Sequence, residues 1–133
     1  MKTVDISKVK DISYSLADVS VIRQTNLWSV LSMPEECGRI YNGFLLVAGG
    51  TCTYRFDKEE LTLSPGAMIY LPKGSLHTVT AAERTLDLYR INFLMRDTSD
   101  GEEIVFSHHP YLVTDTVTRG IFEVAEELTR TTL

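Results

Sequence analysis

A chain of 133 residues with 44% hydrophobic and 23% charged residues has the size and composition of one globular domain, with room for a single core or a shell around a cavity. Its 13 Lys and Arg against 18 Asp and Glu leave a formal charge of −5, which repels phosphate backbones, and no basic stripe offsets it, so these residues do not read as a nucleic-acid surface. The longest apolar runs, such as FLLVA at 44–48, are far short of a membrane span, and the opening MKTVDISKVKDISY lacks the apolar stretch of a secretory signal; a cytoplasmic protein without membrane contact is expected.

Residues 1–17 scatter Val4, Ile6, Val9 and Ile12 among polar residues and read as an irregular arm with at most a short strand. From Val19 the run VSVIRQTNLWSVLSM is rich in β-branched and aromatic residues, which predicts one or two strands. PEECGRIYNG (34–43) reads as a loop leading into the next strand. A series of short strands follows at 43–49, 51–56, 60–63, 68–71, 76–81 and 85–95. Turn signals separate them: Gly49-Gly50, which predicts a bulge or bend, then Asp57-Lys58, Ser64-Pro65-Gly66 and Pro72-Lys73-Gly74. Residues 96–103 form a charged loop, and 104–113 hold a short strand and an extended piece before Pro110. In the tail the period changes. Val117, Ile121, Val124 and Leu128 step by four, three and four, the stripe of an amphipathic helix, and their seam-like spacing suits a helix pair in a homodimer. Cys37 and Cys52 form no CxxC pair and read as two thiols outside any disulfide.

The stretch GAMIYLPKGSLH (66–77) is the most specific signal. Gly66 turns the chain into an uncharged strand, Pro72 ends the ladder, Gly74 permits a positive φ, and His77 opens the next strand. With strands on both sides, this spacing resembles the second motif of the cupin superfamily, the double-stranded β-helix or jelly-roll barrels. Ala81 stands where that motif carries asparagine. If Gly50 is the glycine of the first cupin motif, its glutamate falls on Gly43 and its two histidines fall near Cys37 and Arg39. Of the usual metal-ligand set only His77 is then present, and one histidine does not make a metal site. The expectation is no metal and no cofactor, and a domain that is not an enzyme.

A wider resemblance runs from about residue 20 to 133, through YNGFLLVAGG, the proline-glycine-histidine turn, the strand bearing Tyr89 and Phe93, HHPYLV and the helical tail. It is similar to the N-terminal effector-binding and dimerisation domain of AraC-type transcriptional regulators. The resemblance implies an arm over 1–17, a mostly β cupin barrel over 18–113 and a C-terminal dimerisation helix over 114–133. It also implies contact with DNA only through a helix-turn-helix domain that this chain lacks. A small-molecule effector, such as a sugar, a carboxylate or an aromatic compound, would sit in the barrel.

Strand alternation nominates the contacts. If His77 points inward, Val79 does too. On strand 85–95, Leu88, Arg90 and Asn92 share one face and Tyr89, Ile91 and Phe93 the other; the resemblance favours the first as the ligand wall. Arg90 there suits a carboxylate, phosphate or polyol, or else sits at the surface or pairs with a glutamate. Trp28, Tyr41 and Tyr54 are wall candidates, with core packing the plainer role for each. His77 itself is either a packed, hydrogen-bonded histidine or a polar ligand contact. A stand-alone cupin enzyme (isomerase or dioxygenase) and a stand-alone cupin binding protein are the alternatives to a sensor domain.

Overall fold

The computed structural model describes residues 1–4, 11–24, 38–81 and 86–114, together with Arg119, Gly120, Glu123 and Glu127. Among these, the strands in chain order are β1 Lys2–Thr3, β2 Ile12–Gln24, β3 Asn42–Gly49, β4 Cys52–Phe56 and β5 Glu59–Leu63. There follow β6 Met68–Leu71, β7 Thr78–Ala81, β8 Leu86–Asp97, β9 Ile104–Val105 and β10 Tyr111–Leu112. They pair as a five-stranded antiparallel sheet in the order β10-β6-β3-β8-β2, a three-stranded antiparallel sheet β5-β4-β7, and a short parallel pair β1-β9. The mostly β fold class of the sequence is the observed one.

The uncharged sequence of β6 is explained by burial. All four of its residues are buried because both faces of the five-stranded sheet are covered. On the inner face, Leu45 and Val47 of β3, Ile69 and Leu71 of β6, and Leu86 and Leu88 of β8 pack into one cluster with Cys52, Tyr54 and Phe56 of β4, Leu63 of β5 and Val79 of β7. That cluster holds the two large sheets face to face. On the outer face, Phe44, Met68, Tyr70, Ile91, Phe93 and Met95 meet Ile104 and Val113, with Phe106 and Tyr111 packed over them. Phe44 is the centre of this second core, with its ring 5.2 Å from Phe93 and 5.4 Å from Tyr70.

Two irregularities set the faces. β3 pairs Val47 with Leu88 and then Gly49 with Asp87, the bulge expected at the diglycine. β2 pairs Leu16 with Phe93 and then Asp18 with Asn92, so Ala17 is the extra residue. Without that bulge Asp18 would oppose Ile91 and face outward. With it, Asp18 stands beside Asn92 on the inner face, and Ser20 beside Arg90.

The strand β2 begins at Ile12, inside the segment read as an irregular arm. Its apolar positions are sparse there: Tyr14 and Leu16 are half exposed or more, at the sheet edge, so burial leaves little alternation to read. Twelve residues of β2 are nonetheless paired with β8, and this ladder, not side-chain burial, makes the strand. In the C-terminal segment Arg119, Gly120, Glu123 and Glu127 are helical, and an Arg119 amino group donates to the Gly66 carbonyl at 3.2 Å. The stripe residues Val117, Ile121, Val124 and Leu128 lie outside the described residues, as does Trp28.

Candidate functional site

The turn after β6 builds the site. Gly74 takes φ 88°, in the left-handed region that glycine tolerates, and the Ser75 amide donates back to the Pro72 carbonyl at 3.1 Å. This turn is also clamped to another segment. The Gly74 amide donates to the Arg39 carbonyl at 2.7 Å and the Arg39 amide donates to the Ser75 carbonyl at 3.1 Å. A single turn therefore delivers His77 and fixes the backbone of Arg39. From beneath, the fully buried Asn42 carbonyl oxygen accepts the Lys73 amide at 3.1 Å and the Tyr70 hydroxyl at 2.6 Å, while its amide donates to the Ile104 carbonyl at 3.3 Å.

His77 is 3% exposed, with its ring 5.2 Å from that of Tyr54. Val79 is buried beside Tyr54, its register partner. His77 and Val79, read as sharing one face, are thus both buried. Tyr54 and Leu88 are also buried on this face, within the apolar cluster between the sheets. Tyr41 is half buried and contributes its backbone carbonyl, which accepts from Arg39 Nε at 3.3 Å. His108 and His109 are exposed, on the far side of β9 in the chain.

Arg39 is the residue that sequence reasoning undervalued. Its guanidinium lies over Gly43 and donates to Asn92 Oδ1 at 2.5 Å. A Cβ at position 43 would collide with Arg39 and approach Asn92 Oδ1 to 3.2 Å, so glycine at 43 makes the room in which the guanidinium lies. The Asn92 amide in turn donates to both Asp18 carboxylate oxygens at 3.2 Å. Arg90 reaches Asp18 at 4.0 Å. The result is a chain of groups, Arg39–Asn92–Asp18–Arg90, along the inner face. Arg90 Nε and Ser20 Oγ, on directly opposed residues, are buried with no hydrogen-bond partner among the described residues.

Desolvation pulls the Arg39 pKa down from its ordinary value; Tyr54 opposes this, Arg90 adds to it, and Asp18 opposes it. The guanidinium still carries its charge at any physiological pH. Burial pushes the Tyr54 hydroxyl well up, so it stays protonated, within electrostatic reach of Arg39 and Arg90. Burial likewise pushes the Cys52 thiol up to about 11, which makes it an unreactive core residue.

A cupin metal does not fit these residues. With Gly50 taken as the glycine of the first cupin motif, its glutamate position is Gly43 and a histidine position falls near Arg39, and the Arg39 guanidinium, a cation itself, lies over Gly43. Among the described residues, no group of three His, Cys, Asp or Glu side chains is placed to hold a metal ion.

Two facing sheets with a polar patch at one end of their shared interior describe a small β-rich binding domain. Residues 41–131 match the family described as the AraC-like ligand binding domain, and the chain belongs to that family, a cupin-type domain. No curated protein matches it. Among solved structures it is similar to a cupin-2 domain protein from Shewanella frigidimarina (19% identity, 66% of this chain and 76% of that one, TM-score 0.40). It is also similar to iron(II) HppE with substrate (20% identity, 59% and 52% coverage, TM-score 0.46). This chain spans about half the length of HppE. No described helix is long and apolar enough to cross a membrane.

Proposed function

We propose that this chain is the effector-binding module of an AraC-type transcriptional regulator. Its small-molecule effector binds between the two large sheets, at the end carrying Arg39, His77, Arg90 and Asn92. The domain is not itself catalytic, and it passes the bound state to a DNA-binding domain through a homodimer. The family match supports the class of function. The observation that carries the location is the polar patch on the inner face, where Arg90 Nε and Ser20 Oγ are buried with no hydrogen-bond partner among the described residues, beside an apolar cluster. Buried polar groups are ordinarily satisfied, and those that are not mark places where a bound group completes them.

The sensor reading also requires states that an effector can bias. Thermal-shift screening of sugars, carboxylates and aromatic compounds tests it, because a ligand of the folded state raises the melting temperature. The expected result is a hit whose stabilisation is lost in Arg90→Ala and His77→Ala while both variants remain folded. A hit unaffected by both variants would place binding elsewhere. Sedimentation of the intact chain at micromolar concentration tests the dimer, and a monomer there contradicts that part of the reading.

A further inference from the structure

We infer that the effector carries a negative charge, a carboxylate group, and that Arg39 and Arg90 together receive it. This rests on the proposed binding site and commits it to one ligand chemistry. The reasoning starts from a charge count. Two guanidinium groups lie close enough for Arg90 to depress the Arg39 pKa. Among the described residues one carboxylate, Asp18, acts on both, so the patch holds two positive charges against one negative. Asp18 is moreover the outermost member, with its side chain 46% exposed, and stands 4.0 Å from Arg90, too far for a hydrogen bond. Its own close contacts go to the Asn92 amide. Arg90 therefore keeps donors that Asp18 does not engage, Nε among them.

The second part is geometry. Arg39 is held rigidly: its backbone is bonded to the 72–75 turn, its Nε to the Tyr41 carbonyl and an amino group to Asn92. Gly43 keeps that space open. A guanidinium so fixed, beside a second with uncommitted donors, is preorganised for a planar anion. Asn92, buried at 6% exposure, joins Arg39 to Asp18 and holds the acid at a distance, which stops Asp18 from closing onto Arg39 as an internal substitute for the ligand. Ser20 Oγ, opposite Arg90, supplies a further hydroxyl donor on the same face. The neighbouring Leu88, Val79 and Tyr54 are apolar or neutral, so the body of the ligand is apolar.

Matched pairs of acid and amide distinguish this from other ligand classes. Thermal shift and titration calorimetry are run on the full chain with propionate, propionamide, benzoate and benzamide at millimolar concentrations, at constant ionic strength. The expected result is stabilisation by an acid and none by its amide. The effect should fall about tenfold or more in affinity in Arg90→Gln, the size of loss usual when one member of a desolvated charge-assisted contact is removed. Gly43→Ala, which pushes the Arg39 guanidinium off Asn92, should give a comparable loss, with far-ultraviolet circular dichroism showing both variants folded. An acid and its amide acting equally, or no response to either acid, overturns the inference. A neutral sugar that binds and needs His77 but not Arg39 or Arg90 overturns it while leaving the effector-module reading intact. A ligand of any class that binds independently of all three residues defeats both.

Discussion

Asn42 and Asn92 are the buried asparagines of the five-stranded sheet, and they sit on neighbouring cross-strand pairs with opposite orientations. Asn42 faces outward and bonds to neutral protein groups: a tyrosine hydroxyl, a backbone amide and a backbone carbonyl. Asn92 faces inward and bonds only to charges among the described residues, Arg39 on one side and Asp18 on the other. The outer network is closed, with each group satisfied inside the protein, and aromatic rings cover it. The inner one ends in an arginine and a serine with buried atoms that have no partner among the described residues. A satisfied buried network fixes a fold, whereas an incomplete one beside charge is where a ligand gains most. The same residue type on two faces of one sheet thus separates a structural hub from a site.

The largest effect is expected on the outer face. Asn42→Ala takes the acceptor from the Tyr70 hydroxyl, which keeps only the bond it receives from the Phe106 amide, and removes the side-chain partner of the Lys73 amide and the Ile104 carbonyl; it should cost about 3 kcal/mol in urea unfolding. Next comes alkaline destabilisation, which both faces share. Cys52, Tyr54 and Tyr70 all have pKa values raised mainly by burial. Unfolding lets them ionise at lower pH, so stability is complete below about pH 9 and declines as pH rises. For Cys52 the window runs from 9.0 to about 11, and Cys52→Ala should remove roughly 2 kcal/mol of the decline across it. Tyr70→Phe, which removes one hydroxyl that donates to Asn42 and accepts from the Phe106 amide, should cost about 1–2 kcal/mol. Asn92→Leu should cost less, about 1 kcal/mol, because Asp18 is half exposed to solvent and Arg39 keeps its bond to the Tyr41 carbonyl, yet it should abolish the carboxylate response. Gly43→Ala is the smallest, about 0.5–1 kcal/mol, and should cost less in an Arg39→Ala background, where the Asn92 amide, still within 3.2 Å of the new Cβ, is the neighbour left to give way. Equal costs for Asn42→Ala and Asn92→Leu would erase the distinction between the two faces.

Much of this was legible in the sequence. Residues 68–71 read as an uncharged strand, whose cover on both faces the fold supplied, and Pro72, Gly74 and His77 announced the turn. Alternation grouped Leu88, Arg90 and Asn92 on one face of β8, but that this face is the inner one was favoured by the resemblance alone and came from the fold. Three things were not legible, for physical reasons. Asp18 faces Asn92 only because Ala17 bulges, and a one-residue slip inverts every expectation based on alternation. Asn42 lies in a stretch with the composition of a loop, yet it is the first residue of β3 and a structural hub, since what it serves are contacts about 30 and 60 residues away in sequence. Arg39 stood out only as a departure from a metal-ligand pattern; its meaning depends on the space above Gly43, which no local pattern encodes.

Arginine side-chain NMR tests the central claim most directly. Nitrogen-15 spectra of the Nε–H groups, assigned with Arg39→Lys and Arg90→Lys, are recorded through a benzoate titration. Saturable shifts of the Arg90 and Arg39 signals, with the Asn42 amide unmoved, are predicted. Shifts confined to exposed arginines such as Arg55 and Arg96, or changes at Asn42 without any at Arg90, would contradict binding on the inner face.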